Sequence, residues 1–202
     1  MNYLAIDTSG DLLVLLKYNG KKTVRRLVGS QTKHSLTLMP YIEEVLEESG
    51  ASLNDLDFFA CVVGPGSFTG IRIGVATVKA LCLATQKPAL SVTAFDILAY
   101  SNNAPANVFC VVDANHDNYY SCAYANKEIA IQPCFLTKEE VLEKSKDYAV
   151  CSITACGFEN CYIADVLSGL ENAIDAKTAQ VGDYNKVVPL YVKRSQAEEE
   201  SC

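Results

Sequence analysis

The sequence predicts an α/β fold of two lobes, each a mixed β-sheet with helices and the second reduced. Three observations carry that expectation. A pattern of strand, aspartate, strand, turn and strand occurs twice, with its aspartates, Asp7 and Asp113, standing 106 positions apart. The stretch Phe58–Thr85, FFACVVGPGSFTGIRIGVATVKALCLAT, reads as strand, tight turn and helix. The segment Ser101–Asn107, SNNAPAN, is rich in turn formers and separates a first lobe, 1–100, from a second, 107–202.

In chain order, Tyr3–Ile6 is a short apolar strand that stops at Asp7. Leu12–Tyr18 is a second strand, Asn19-Gly20 a two-residue turn whose twist suits its flanks, and Lys21–Val28 a third strand. From about Thr32 to Glu48 the residues Leu38, Met39, Tyr41, Ile42, Val45 and Leu46 span roughly 160° of a helix, against the ~100° that one core face needs. Leu36 lies outside even that stripe. Pro40 either frees the carbonyl of Leu36 and bends the helix or marks its first turn, and Gly50 closes it.

The next helix is opened by Ser67 as N-cap, and only Arg72 and Lys79 interrupt its apolar circumference. A helix of that kind is buried on more than one side. Gly66, Gly70 and Gly74 strip one ridge of side chains so that another backbone can come close. Glycine inside a helix costs about 1 kcal/mol relative to alanine, so packing must offset it. Ala89–Val92 then reads as a strand and Ala94–Tyr100 as a short helix.

After the linker, Val108–Val112 ends on Asp113, Tyr119–Ala125 is the next strand, Asn126-Lys127 the turn and Ile129–Phe135 the third strand. Thr137 with Glu140 forms a capping box for the helix that follows, and Tyr148–Thr154 is the next strand. Beyond it a helix is expected over Asn160–Leu170, a loop with a short strand over Tyr184–Arg194, and a solvated tail, QAEEESC.

The chain has 202 residues, half of them hydrophobic and a fifth charged, enough for a substantial core. Its net charge of −7 argues against a protein that grips phosphate backbones unaided, so any RNA contact needs a basic partner. Nine cysteines include no C-x-x-C pair and the histidines number two, so no metal site is expected. Most of the cysteines sit in apolar runs and read as small buried hydrophobes; the even spacing of Cys151, Cys156 and Cys161 has no assigned chemistry. The start MNYLAIDTSG resembles no export signal, and no unbroken run of 18 apolar residues is present, which points to a reducing cytosol.

The duplicated meander and helix, each copy with an aspartate where its first strand stops, is the outline of the actin-like, RNase H-like (ASKHA) domains. In a nucleotide-splitting member Asp7, with Thr8 and Ser9, would hold a metal and Asp113 would be its mate; alternatively each aspartate satisfies turn amides. Gly64-Pro65-Gly66-Ser67 at a helix N-terminus can cradle an anion or make a tight turn, and matches neither the Walker A nor the Rossmann spacing. His34 beside Ser35, and His116, form no nucleophile–base–orienter pattern. Arg72 and Lys79 read as ion-pair or interface donors, with Glu43, Glu44, Glu47 and Glu48 as acidic complements.

The segments LAIDTS, KHSLTLMPYIEEVLEESG, LDFFACVVGPGSFTGIRIGVATVKALCLA, VVDANHDNYYSCAY and VVPLYVKRSQAEE together closely resemble the TsaB (YeaZ) family, non-catalytic subunits of the bacterial machinery for threonylcarbamoyladenosine in transfer RNA. The chain departs from that pattern at Leu36, where an acidic residue is usual, and at Asn115-His116, where Arg-Arg is frequent. The resemblance implies an actin-like fold with no catalytic residue, cofactor or metal of its own. It also implies pairing with the catalytic subunit TsaD, joined by the ATPase TsaE, with transfer RNA met only through the complex, or else self-pairing. The pairing helices would be Gln31–Gly50 and Ser67–Thr85, with Leu36, Met39, Ile42, Glu43, Leu46, Gly70, Arg72, Gly74, Val75, Ala76, Lys79 and Leu83 at the contact. A small ATPase or kinase using Asp7 and Asp113 is the alternative.

Overall fold

A computed structural model describes residues 1–29 and 34–192. The expected helix onset at Gln31 or Thr32, Arg194, and the tail from Gln196 lie outside the described residues. The chain divides into two compact units, the first Met1–Thr93 with Ile174–Pro189, the second Ala94–Ala173 with the chain from Leu190.

In the first unit the strands β1 (Tyr3–Asp7), β2 (Leu12–Tyr18), β3 (Lys21–Leu27), β4 (Phe58–Val62) and β5 (Ala89–Val92) form one sheet in the order β3-β2-β1-β4-β5. β1 runs antiparallel to β2 and parallel to β4. The two central strands, β1 and β4, are buried along their whole length, as covered parallel strands must be, which explains why they read as unbroken apolar runs. Asn19 and Gly20 both take positive φ, the requirement of the mirror-image hairpin turn.

Helix α1 (His34–Ser49) keeps Pro40 inside it and sets Leu38, Ile42 and Val45 into the core. Its end is locked by Ala51 N–H donating to Leu46 O and Gly50 N–H to Glu47 O, with Gly50 at positive φ. Helix α2 (Phe68–Thr85) packs on β4 through Ile71, Val75, Val78 and Cys82. By length and composition α2 would also pass for a membrane span, despite Arg72 and Lys79; it packs on β4 along one side and leaves the other exposed.

The second unit repeats the first. Its strands β6 (Asn107–Asp113), β7 (Asn118–Ala125), β8 (Glu128–Thr137), β9 (Ala149–Ser152) and β10 (Tyr162–Ile163) lie in the order β8-β7-β6-β9-β10, the same topology with the same strand directions for β6, β7 and β9. Helix α4 (Lys138–Lys144) holds the place of α1, with the Thr137–Glu140 capping box formed as expected. No helix stands in the place of α2, because only Ile153–Cys161 separates β9 from β10. The reduction of the second copy is largely that missing helix.

Three expectations are corrected here. The helix α3 (Ala94–Tyr100) belongs to the second unit, since Phe95, Leu98 and Ala99 share a core cluster with Val108, Cys110, Cys122, Tyr124 and Cys151. The helix expected over Asn160–Leu170 is instead β10 followed by α5 (Val166–Lys177): Tyr162 pairs with Cys151, and the Asp165 carboxylate accepts from Leu167 N–H at 3.2 Å to start the helix later. The strand expected within Tyr184–Arg194 is, among the described residues, a single 3-10 turn at Tyr184–Lys186, and the strand-like contact comes earlier, where Gly182 and Ala89 exchange hydrogen bonds of 2.9 and 3.0 Å.

Candidate functional site

Two features of the first unit bear on function, the turn after β1 and the outer surface of α1 and α2. At the turn, Asp7 Oδ1 accepts from Ser9 N–H at 2.8 Å and from Ser9 Oγ at 2.7 Å, so one oxygen of the carboxylate serves its own turn. The copy repeats the device: Asp113 Oδ1 accepts from Asn115 N–H at 2.7 Å. Both aspartates serve turn amides, the second of the two roles open from sequence.

Asp7 is buried, and that burial raises its pKa above the ordinary carboxylate value, with the Ser9 bonds pulling the other way. A carboxyl group raised in the fold stabilises it fully at low pH, and that contribution is lost as pH rises through the raised value. Asp7→Asn keeps the acceptor for Ser9 and removes the desolvated charge. The variant should therefore melt higher than wild type at pH 7, with the gap closing under acid; a lower melting temperature at pH 7 would show that the charge itself is held by something the turn does not supply.

Part of the loop ahead of α2 is also bonded internally. Ser67 N–H donates to Ser9 O at 2.6 Å, Gly70 N–H to Ser67 Oγ at 3.2 Å and Ile71 N–H to Ser67 O at 2.9 Å. These amides close a tight turn and a helix cap. The glycine ridge explains the arrangement: a Cβ on Gly66, Gly70 or Gly74 would fall under 3.0 Å from Ser9 O, Thr8 O or Thr8 Oγ1 respectively. Thr8 Oγ1 in turn donates to Gly70 O at 2.7 Å. The close-approaching backbone is thus this chain's own Thr8-Ser9.

Gly70 and Gly74 are accordingly withdrawn from the expected partner contact, and so are Ile42 and Val75, which are buried in the unit's core. Outside remain Leu36 (69% exposed), Leu83 (60%) and Met39 (45%), joined by Phe68 (46%). Glu43, Arg72 and Ala76 are exposed as well, Leu46 and Lys79 half-buried. Phe68 was not among the contact residues expected from sequence. The available signal was Arg72 one turn on, whose guanidinium lies 3.7 Å from the Phe68 ring centroid. Two of the four expected acidic complements pair elsewhere: Glu44 and Glu48 each meet Arg25 at 2.6 Å, while Lys79 Nζ donates to Asn185 O at 3.3 Å.

Among the described residues no group of three or more His, Cys, Asp or Glu side chains is set to hold a metal. What the geometry offers is a helical surface with exposed apolar side chains beside a turn in which Asp7 Oδ1, Thr8 Oγ1 and Ser9 are bonded internally.

The family model described as TsaD, tRNA N6-adenosine threonylcarbamoyltransferase, matches residues 28–182. The tRNA threonylcarbamoyladenosine biosynthesis protein TsaB of Haemophilus influenzae is 34% identical over 124 residues, 59% of this chain and 52% of the relative. Its Escherichia coli namesake is 29% identical over 134 residues, 65% of this chain and 58% of the relative. The solved structure of YeaZ from Pseudomonas aeruginosa superposes with a TM-score of 0.79 at 25% identity, covering 94% of this chain and 99% of that one. The chain belongs to the TsaB/YeaZ family. The match to TsaB proteins spans about half the length of the curated relatives, whereas the match to YeaZ runs nearly end to end. The doubled sheet order and the YeaZ superposition make the fold actin-like and RNase H-like.

Proposed function

We propose that this TsaB-family chain is a non-catalytic, cytoplasmic subunit in the formation of N6-threonylcarbamoyladenosine in transfer RNA, supporting a TsaD-type transferase together with a TsaE-type ATPase. The observation that carries the reading is the exposure of Leu36 and Met39 on α1 and of Phe68 and Leu83 on the adjoining α2. A match to the transferase's own family model supports a partner built on a related helical surface, so that the pairing resembles a pseudo-symmetric dimer. A stable contact of this kind buries roughly 1,200–2,000 Å² in total. Transfer RNA reaches the chain only through the complex, in keeping with its net charge of −7. Without the transferase, two copies would pair through the same helices.

The test is reconstitution with unmodified transfer RNA, a TsaD-type transferase and a TsaE-type ATPase, with and without this chain, reading modified adenosine by mass spectrometry. Yield should collapse when the chain is left out; equal yield removes the assignment. The rival, a small ATPase or kinase on Asp7 and Asp113, has one oxygen of each carboxylate, Oδ1, bonded into its own turn against it. Calorimetry with ATP and magnesium would favour it if the isolated chain bound tightly and turned over.

A further inference from the structure

The second unit holds a pair of thiols that the proposed function does not use. Between β9 and β10 the chain runs Ile153–Cys161, where the first unit has a long helix. Gly157 and Asn160 both take positive φ and fold this stretch back on itself, and the sulfur atoms of Cys156 and Cys161 meet at 3.1 Å. The loop is anchored at Cys156 and within the pair, at Phe158. Phe158 is buried, with its ring centroid 5.0 Å from that of Tyr119, and Tyr119 Oη donates to Cys156 O at 3.2 Å.

The remaining cysteines of this unit's core are placed differently. Cys110, Cys122 and Cys151 are buried, and their thiols donate to the carbonyls of Phe95, Ile131 and Leu98. Cys151 belongs to the cluster beneath α3, whereas Cys156 and Cys161 pack on the other cluster, around Phe109, Tyr119 and Phe158. Both members of the pair are only half-buried and within reach of a small solute. Burial, and the bond from Cys156, push the Cys161 thiol up to about 12.

We propose that Cys156 and Cys161 are a modification site, a dithiol that closes to a reversible disulfide on meeting a hydroperoxide. The Cys156 sulfur attacks the terminal peroxide oxygen, breaking the O–O bond and releasing an alcohol, or water from hydrogen peroxide, to leave a sulfenic acid. The Cys161 sulfur then displaces that oxygen as water, forming the S–S bond. Two thiols and one hydroperoxide give one disulfide, one alcohol and one water; the two electrons pass from the sulfurs to the peroxide. The product ring encloses Gly157–Asn160 and fixes the β9–β10 connection, the part of this unit that has no helix to hold it.

The sequence supplies its own assay, because Glu159 lies between the two cysteines. The full chain is treated with hydrogen peroxide, its remaining thiols are alkylated, and it is cut with a glutamate-specific protease. The fragments carrying Cys156 and Cys161 should stay joined, with the mass short by two hydrogens, and separate on dithiothreitol. Cys156→Ser and Cys161→Ser should each abolish the linkage, and Cys151→Ser should leave it. The proposal is overturned if the wild-type fragments separate without reductant, if Cys156 or Cys161 is recovered as sulfinic or sulfonic acid without linkage, or if either links instead to Cys134 or Cys151.

Discussion

Gly70→Ala is expected to destabilise the first unit by about 3 kcal/mol or more, the upper end of what forced overpacking costs. The atom in the way is Thr8 O, part of the backbone, so no rotamer change relieves the clash. The substitution would also push apart the bond from Thr8 Oγ1 to Gly70 O. In a chain of this size the loss corresponds to a melting temperature lower by roughly 6–12 °C. Two controls make the explanation specific. Gly10, on the same turn, has nothing within 4 Å of a built Cβ, so Gly10→Ala should be nearly silent. Gly74→Ala would strike the Thr8 side chain, so pairing it with Thr8→Ala should recover part of its loss, whereas the same pairing should recover none for Gly70→Ala. Thermal melts and urea titrations of these variants decide the matter; a wild-type melt for Gly70→Ala would mean that the turn after β1 does not sit against α2 as described.

The same ridge shows how far the sequence could be read. Three glycines at four-residue spacing said that a backbone comes close, and it does. They could not say whose, because Thr8 and Gly70 are 62 positions apart and nothing local joins them. The hairpins were legible because Asn19-Gly20 and Asn126-Lys127 impose their geometry within two residues. The topology was legible because the pattern occurs twice and both copies obey one rule.

Where choices depend on distant packing, local pattern fell short. Ala94–Tyr100 follows the first sheet in sequence, yet Phe95 and Leu98 find their cover among Val108, Cys110 and Tyr124. An apolar arc of roughly 160° on α1 is wider than the ~100° one core face needs. It could not say that Ile42 faces the core while Met39 faces out. On α2, likewise, Val75 is buried while Phe68 is exposed.

That distinction sets the interface test at the exposed neighbours of Val75. A charge at Val75 would enter the core and unfold the unit, which says nothing about a partner. Leu83→Asp and Ala76→Arg place charge on the open side of α2, where surface changes usually alter stability by less than about 0.5 kcal/mol. If these positions sit in the desolvated centre of the contact with a TsaD-type subunit, each should weaken binding about 100-fold, near 2.7 kcal/mol. Self-association should weaken with it, since an isologous pair would bury the altered residue twice. Ile163→Asp is the matched control, an exposed apolar residue of the second unit whose loss should leave binding unchanged. Calorimetry gives the affinity and sedimentation the oligomeric state. Unaltered values for both first-unit variants, in proteins that melt like wild type, would place the working surface away from α2. Selective loss with Ile163→Asp would instead place it on the second sheet, where β10 leaves Tyr162 and Ile163 exposed.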